Sequence, residues 1–156
     1  MDTTAVPERR LGAERSLVQI QSPRLFVAAP RRIILDGMNV IGSRPDGWWR
    51  DRRGAMAALV RRLAALADAD GTAVTVVFDG RPFELGDGPP RGVDVAFASR
   101  AGRDAADDDI VVLVERCARP GELEVVTSDD DLARRVRALG AEVVGAAGFR
   151  RRLDRL

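Results

Sequence analysis

Apolar positions along this chain follow two rhythms. Nearly unbroken apolar runs stand at 33–35 (IIL), 73–78 (AVTVVF) and 123–126 (LEVV). Runs this short, bounded by Gly, Pro, Asp or Ser, predict strands buried on both faces. Alternation at 93–97 predicts a further strand, and 141–144 a last short one. Elsewhere the spacing is helical. Met56, Leu59, Val60, Leu63, Leu66 and Ala67 predict an amphipathic helix that Gly71 breaks, with Arg52, Arg53, Arg61 and Arg62 on its other faces. Ile110, Val111 and Val114 mark a second helix within 102–117, with Asp104 as N-cap and Pro120-Gly121 as terminator. Leu132, Val136 and Leu139 mark a third, closed by Gly140. Ser128 and Asp131 read as its capping box, which makes Asp131 structural. The basic tail FRRRLDRL reads as helical. Strands alternating with helices in this order predict a three-layer α/β/α fold with a mostly parallel central sheet of four to five strands.

Residues 1–30 break both rhythms. Prolines at 7, 23 and 30 and scattered charges read as a flexible N-terminal extension, followed by one domain over 31–156. Within the extension, 17–20 and 25–27 are the runs that could add an edge strand. The stretch 25–29 is too short for a signal-peptide core, and no apolar run is long enough to span a membrane. Two loops stand out. One, at 42–51, holds Pro45, Asp46-Gly47 and Trp48-Trp49; the other, at 80–92, is rich in Gly and Pro.

Composition narrows the chemistry. The chain has no His and one Cys. Ser-His-Asp and Cys-His nucleophilic systems are excluded, as are ordinary zinc sites built from several Cys and His ligands. Cys117 cannot form an intramolecular disulfide, which fits a reducing cytoplasm, and it reads as core filler. Catalysis is left with carboxylates, hydroxyls, Arg or an oxygen-bound metal. All 25 basic residues are Arg. Coding bias explains that as well as phosphate binding does, although Arg grips phosphate bidentately.

The first strand runs straight into Asp36, Gly37 and Asn39. Asp79 ends the second strand and Asp129 follows the fourth. In a parallel sheet those ends share one edge, where open α/β sheets bind ligands. Asp107 and Asp108 open a helix that can point its first turn at the same edge. Converging carboxylates repel and shift upward in pKa; a divalent cation removes that penalty. Ligands that are all oxygen select Mg²⁺ or Mn²⁺, and the fitting chemistry is metal-assisted phosphodiester hydrolysis with a metal-activated water. Asp36, Asp107 and Asp129 are the strongest ligand candidates. Asp108 and Asp130 rank second, Asp130 also serving to complement a helix dipole. Asp109 reads as solvent-facing. An Asp-Gly pair alone is an ordinary turn; the coincidence of three strand-end acids lifts this set above that reading. Arg44, Arg50, Arg81, Arg91 and Arg103 flank the expected pocket as candidate phosphate contacts. Trp48 is a candidate base-stacking residue. The competing readings are solvated loop charge for each Arg and packing for the Trp.

The motifs ILDGMNVIG, VVFDG, AADDDI and VVTSDDDL, in that order, resemble the NYN domain of the PIN-like nuclease superfamily, most closely its YacP-like group. The resemblance runs from residue 32 to the end of the chain. It implies a three-layer α/β/α fold and Mg²⁺- or Mn²⁺-dependent endoribonuclease activity leaving 5′-phosphate and 3′-hydroxyl ends. By position, Asp36, Asp79, Asp107 and Asp129 match the family's acidic pocket. Asn39 matches its first-motif Asn, which orients Asp36 or substrate. RNA is the implied partner, and some members of the group act on translating ribosomes, so mRNA or ribosome-associated RNA decay is the implied setting. The chain departs from the family in its long N-terminal extension and compact C-terminal end. The rival is a non-catalytic RNA-binding relative, which would have lost strand-end acids; all four persist. A haloacid-dehalogenase phosphatase needs an acid where Met38 stands, and a receiver domain needs a Lys that this chain lacks.

Overall fold

The computed structural model describes residues 31–102 and 104–156. The readings on residues 1–30, the two possible edge-strand runs included, and on Arg103 lie outside those residues.

Five strands make one sheet: β1 (Arg32–Asp36), β2 (Ala73–Phe78), β3 (Val93–Phe97), β4 (Leu123–Val126) and β5 (Glu142–Val144). Their order is β3-β2-β1-β4-β5, and every pairing is parallel. The helices are α1 (Gly37–Gly42), α2 (Arg52–Asp70), α3 (Ala105–Glu115), α4 (Asp130–Ala138) and α5 (Ala146–Leu153). Successive β1 side chains point to opposite faces, and each face has its own core. Ile33 and Leu35 pack with Val40, Met56, Leu63 and Phe149 from α1, α2 and α5. Ile34 packs with Val77 and Val125 against Ile110, Val114 and Leu132 from α3 and α4. A sheet covered on both sides has no polar face, which is why its strands read as nearly continuous apolar runs. Among the described residues no helix is long and apolar enough to cross a membrane.

The chain enters at the central strand β1, builds outward to β2 and β3, then returns to β4 and β5 on the other side. That reversal opens a crevice between the carboxyl ends of β1 and β4, the switch point at which such sheets bind ligands.

Several local expectations change. Asp36-Gly37 is no turn: α1 begins at once, and its six residues are too few to display a helical period. Gly37 is required by packing, because a Cβ there would stand 2.3 Å from Cε1 of Phe78. The loop at 42–51 contains a 3₁₀ turn, Trp48–Arg50. Pro120 opens a second one, Pro120–Glu122, after α3 has already ended at Glu115. Asp104 stands at the N-cap position of α3 in a left-handed conformation, φ 65°, and makes no side-chain cap bond. The capping box of Ser128 and Asp131 is not made. Asp129 caps α4, accepting from the Leu132 N–H at 2.9 Å, and Asp131 pairs with Arg134. Ser128 instead accepts from the Ala146 N–H at 2.9 Å, capping α5 from another segment. Asp109 is half-buried rather than solvent-facing, holding the Ser99 N–H and hydroxyl at 2.6 and 2.7 Å.

Candidate active site

Asp36 ends β1 and caps α1 at once, accepting from the Asn39 N–H at 3.2 Å. A strand feeding directly into a helix leaves this carboxyl at the crevice mouth, only 7 % exposed. Across the switch point Asp129 caps α4 in the same way. Asn39 joins the two sides: its side-chain Oδ1 accepts from the Ser128 N–H at 2.7 Å. One residue therefore supplies the N–H that fixes Asp36 and the carbonyl that fixes the segment leading to Asp129. Thr127 adds a second restraint there, its hydroxyl accepting from the Asp129 N–H at 3.1 Å.

The third wall comes from α3. Asp107, in its first turn, is 8 % exposed and faces the crevice. Asp79, just after β2, accepts from the Ala106 N–H at 3.2 Å. It thus supplies from a neighbouring strand the cap that Asp104 does not make. Burial is the main cause that pushes the Asp107 carboxyl up to about 7, and the negative charges of Asp36, Asp129, Asp104 and Asp79 push it further. Asp36 is pushed up to about 6, again mainly by burial and then by Asp79 and Asp129, against the lowering effect of the Asn39 N–H. Asp36, Asp79, Asp107 and Asp129 therefore share one electrostatic neighbourhood, as the strand-end pattern anticipated.

Other candidates lie elsewhere. Asp108 follows Asp107 but turns away into ion pairs with Arg100 and Arg135, which hold its carboxyl below the usual range. Asp130 is exposed in the first turn of α4. Arg44 pairs with Asp154 beyond the C-terminal end of α1, the end opposite Asp36. Trp48 is half-buried at that same end, lining a cavity of about 300 Å³ with Ile41, Arg62 and Arg150. Trp49 packs edge-on against Trp48 and is 56 % exposed. Arg50 is exposed in the 3₁₀ turn. Arg91 does not flank the pocket. It precedes β3, and in a parallel sheet the residue before a strand lies on the edge opposite the carboxyl ends. Arg81 does stand beside the pocket, in a groove that Asp79 also lines.

Two residues on this edge escaped the sequence reading, which left Arg52 and Arg53 on the outer faces of α2. They are its first two residues and line the groove with Arg81, Arg52 donating to the Asp79 carbonyl at 3.0 Å. The signal was available: a helix that follows a parallel strand starts on that strand's carboxyl side.

The carboxylates fit a hard divalent cation in donor type and in their uncompensated charge. Asp36, Asp79 and Asp129 each commit an oxygen to a backbone N–H, leaving the second oxygen for a ligand. Among the described residues no three acids already stand at the spacing of a closed metal cage. The fit is to an ion such as Mg²⁺ that takes one or two carboxylates and keeps several waters.

Comparison with known proteins bears on the family and the fold. Residues 33–156 match the family model described as the YacP-like NYN domain. No curated protein matches the chain. Solved structures similar to it include Rae1 (YacP) from Bacillus subtilis and a tryptophan-to-leucine mutant of it. The mutant shares 24% identity at a TM-score of 0.66, covering 80% of this chain and 76% of its own. The unmutated protein shares 24% identity at a TM-score of 0.63, covering 79% and 73%. At this identity the likeness establishes the fold.

Proposed function

The chain belongs to the YacP-like NYN domain family, a family of nuclease type, and on that premise we propose that it is an endoribonuclease dependent on Mg²⁺ or Mn²⁺. The observation that carries the reading is the pair Asp36 and Asp107. They come from different layers of the fold, both are buried, and both are pushed upward in pKa by burial and by the acids around them. A structural ion pair would have supplied an Arg here. A phosphodiester is itself anionic and cannot approach four carboxylates unless their charge is compensated.

Asp36, Asp107 and Asp129 are the residues from which the cation would take its one or two direct carboxylates, the remainder reaching it through water. When bound, Mg²⁺ or Mn²⁺ supplies charge neutralisation at the phosphate and a more acidic water. The protein's own part is positional. Asn39 keeps Asp36 and the Asp129 segment at fixed separation across the crevice, and Asp79 holds the first turn of α3 so that Asp107 faces inward. RNA is the substrate class, in mRNA or ribosome-associated decay.

Incubation of labelled RNA with the full chain tests this. Cleavage is expected with Mg²⁺ or Mn²⁺ and none in chelator, with 5′-phosphate and 3′-hydroxyl ends. Products bearing 2′,3′-cyclic phosphate would contradict the mechanism. RNA binding without cleavage under either metal would favour the non-catalytic alternative.

A further inference from the structure

The groove beside the acid pocket has a chemistry of its own. One wall is the first turn of α2, with Arg52, Arg53 and Met56; the other is the segment after β2, with Asp79, Arg81 and Phe83. It encloses about 220 Å³. Cations at a helix N-terminus oppose the helix dipole, yet Arg52 and Arg53 are the first two residues of α2; the acid at that end, N-cap Asp51, is committed to the Gly54 N–H at 2.9 Å and pairs with neither. Among the described residues none of Arg52, Arg53 and Arg81 is in an ion pair, whereas Arg44, Arg62, Arg150 and Arg152 around α1 and α5 are paired. All three are exposed.

Two of them are also held in place. Arg52 donates to the carbonyl of Asp79, tying the walls together. The Arg53 guanidinium lies over the Phe83 ring, 5.2 Å from its centroid. Phe83 in turn meets Phe97 edge-on at 5.6 Å, and Phe97 meets core Phe78 at 6.0 Å. A guanidinium on a ring that is mounted on the core loses little freedom when it binds an anion.

We propose that this groove grips the RNA strand next to the bond that is cut: Arg53 and Arg81 bind backbone phosphate, and Phe83 is a positioning residue for Arg53. The inference rests on the nuclease reading above, since Asp79 is the wall shared by groove and acid pocket. It also gives the strand a direction, leaving the pocket on the β2 side of the sheet rather than the β5 side.

The test measures kcat and KM for a short labelled single-stranded RNA over a salt series. In R53A/R81A, KM should rise about tenfold, equivalent to about 1.4 kcal/mol, with kcat little changed. The dependence of log KM on log salt should flatten by about 0.7 for each phosphate that the variant no longer neutralises. R53K/R81K should recover the salt slope. Phe83→Leu should raise KM and keep the salt slope, since the charge remains. Arg91→Ala, on the opposite edge, should change neither. If the parent cuts RNA and R53A/R81A keeps its KM and salt slope, the groove is overturned and the nuclease reading stands. A fall in kcat with KM unmoved overturns it equally. A parent that cuts no RNA with Mg²⁺ or Mn²⁺ overturns both.

Discussion

Asp107 and Asp108 are neighbours in one helical turn, and the fold treats them in opposite ways. Asp108 reaches Arg100 and Arg135 and is held below the ordinary carboxylate range. Asp107 points into the crevice, meets other carboxylates and is pushed up to about 7. The same contrast holds on a larger scale. Around the far end of α1, Asp46 pairs with Arg150, and Asp154 pairs with both Arg44 and Arg62. At the switch point, among the described residues, none of Asp36, Asp79, Asp107 and Asp129 has a side-chain ion pair. With 25 arginines in the chain, cations are not scarce. Asp46, Asp108 and Asp154 are neutralised locally by arginines, while the crevice acids have no such partner among the described residues.

The sharpest way to break the comparison is to change each neighbour alone. Asp107→Asn should lower the RNA cleavage rate by on the order of 10²–10³, the scale of losing a group that stabilises the transition-state charge. Asp108→Asn should stay within a few-fold of the parent. Equal losses would mean that Asp107 acts only through the helix.

A smaller effect is expected in the pH dependence of stability without metal. The folded-state pKa values of Asp36 and Asp107 lie above the unfolded value of 3.8. The folded protein then binds more protons than the unfolded chain, so stability falls as pH rises through about 4 to 7. The loss attributable to Asp107 is on the order of 2 kcal/mol, less than its full shift because water reaches the crevice mouth. Asp107→Asn should flatten that fall. Asp108 has the opposite sign: its depressed pKa contributes stability above the unfolded pKa that is lost on acidification, and Asp108→Asn should remove it. Denaturant melts in chelator from pH 4 to pH 8 would read both slopes, and a parent more stable at pH 7 than at pH 5 would contradict the account.

Much of this layout was legible because it is local. The runs of β1, β2 and β4 announce a two-sided sheet, and the acids at their ends announce its carboxyl edge. What stayed hidden is made between segments distant in sequence. Asp79 caps a helix that begins 26 residues later, and Ser128 caps α5 rather than its own helix. The capping-box spacing of Ser128 and Asp131 is a local pattern, and here a tertiary bond displaced it. Helix α1 escaped because six residues cannot show a period. Arg91 was misplaced because nearness in sequence to a pocket loop does not say which end of a strand a residue joins.

The central claim is that the crevice acids are held together for a divalent cation, and thermal melting tests it most directly. In chelator, Asp107→Asn should melt at or above the parent temperature, because one repelling charge is gone. With Mg²⁺ the parent should gain stability in proportion to ligand occupancy, and the variant should gain much less. Equal Mg²⁺ shifts in the two proteins would contradict the account and leave Asp107 as a helix N-terminal residue alone.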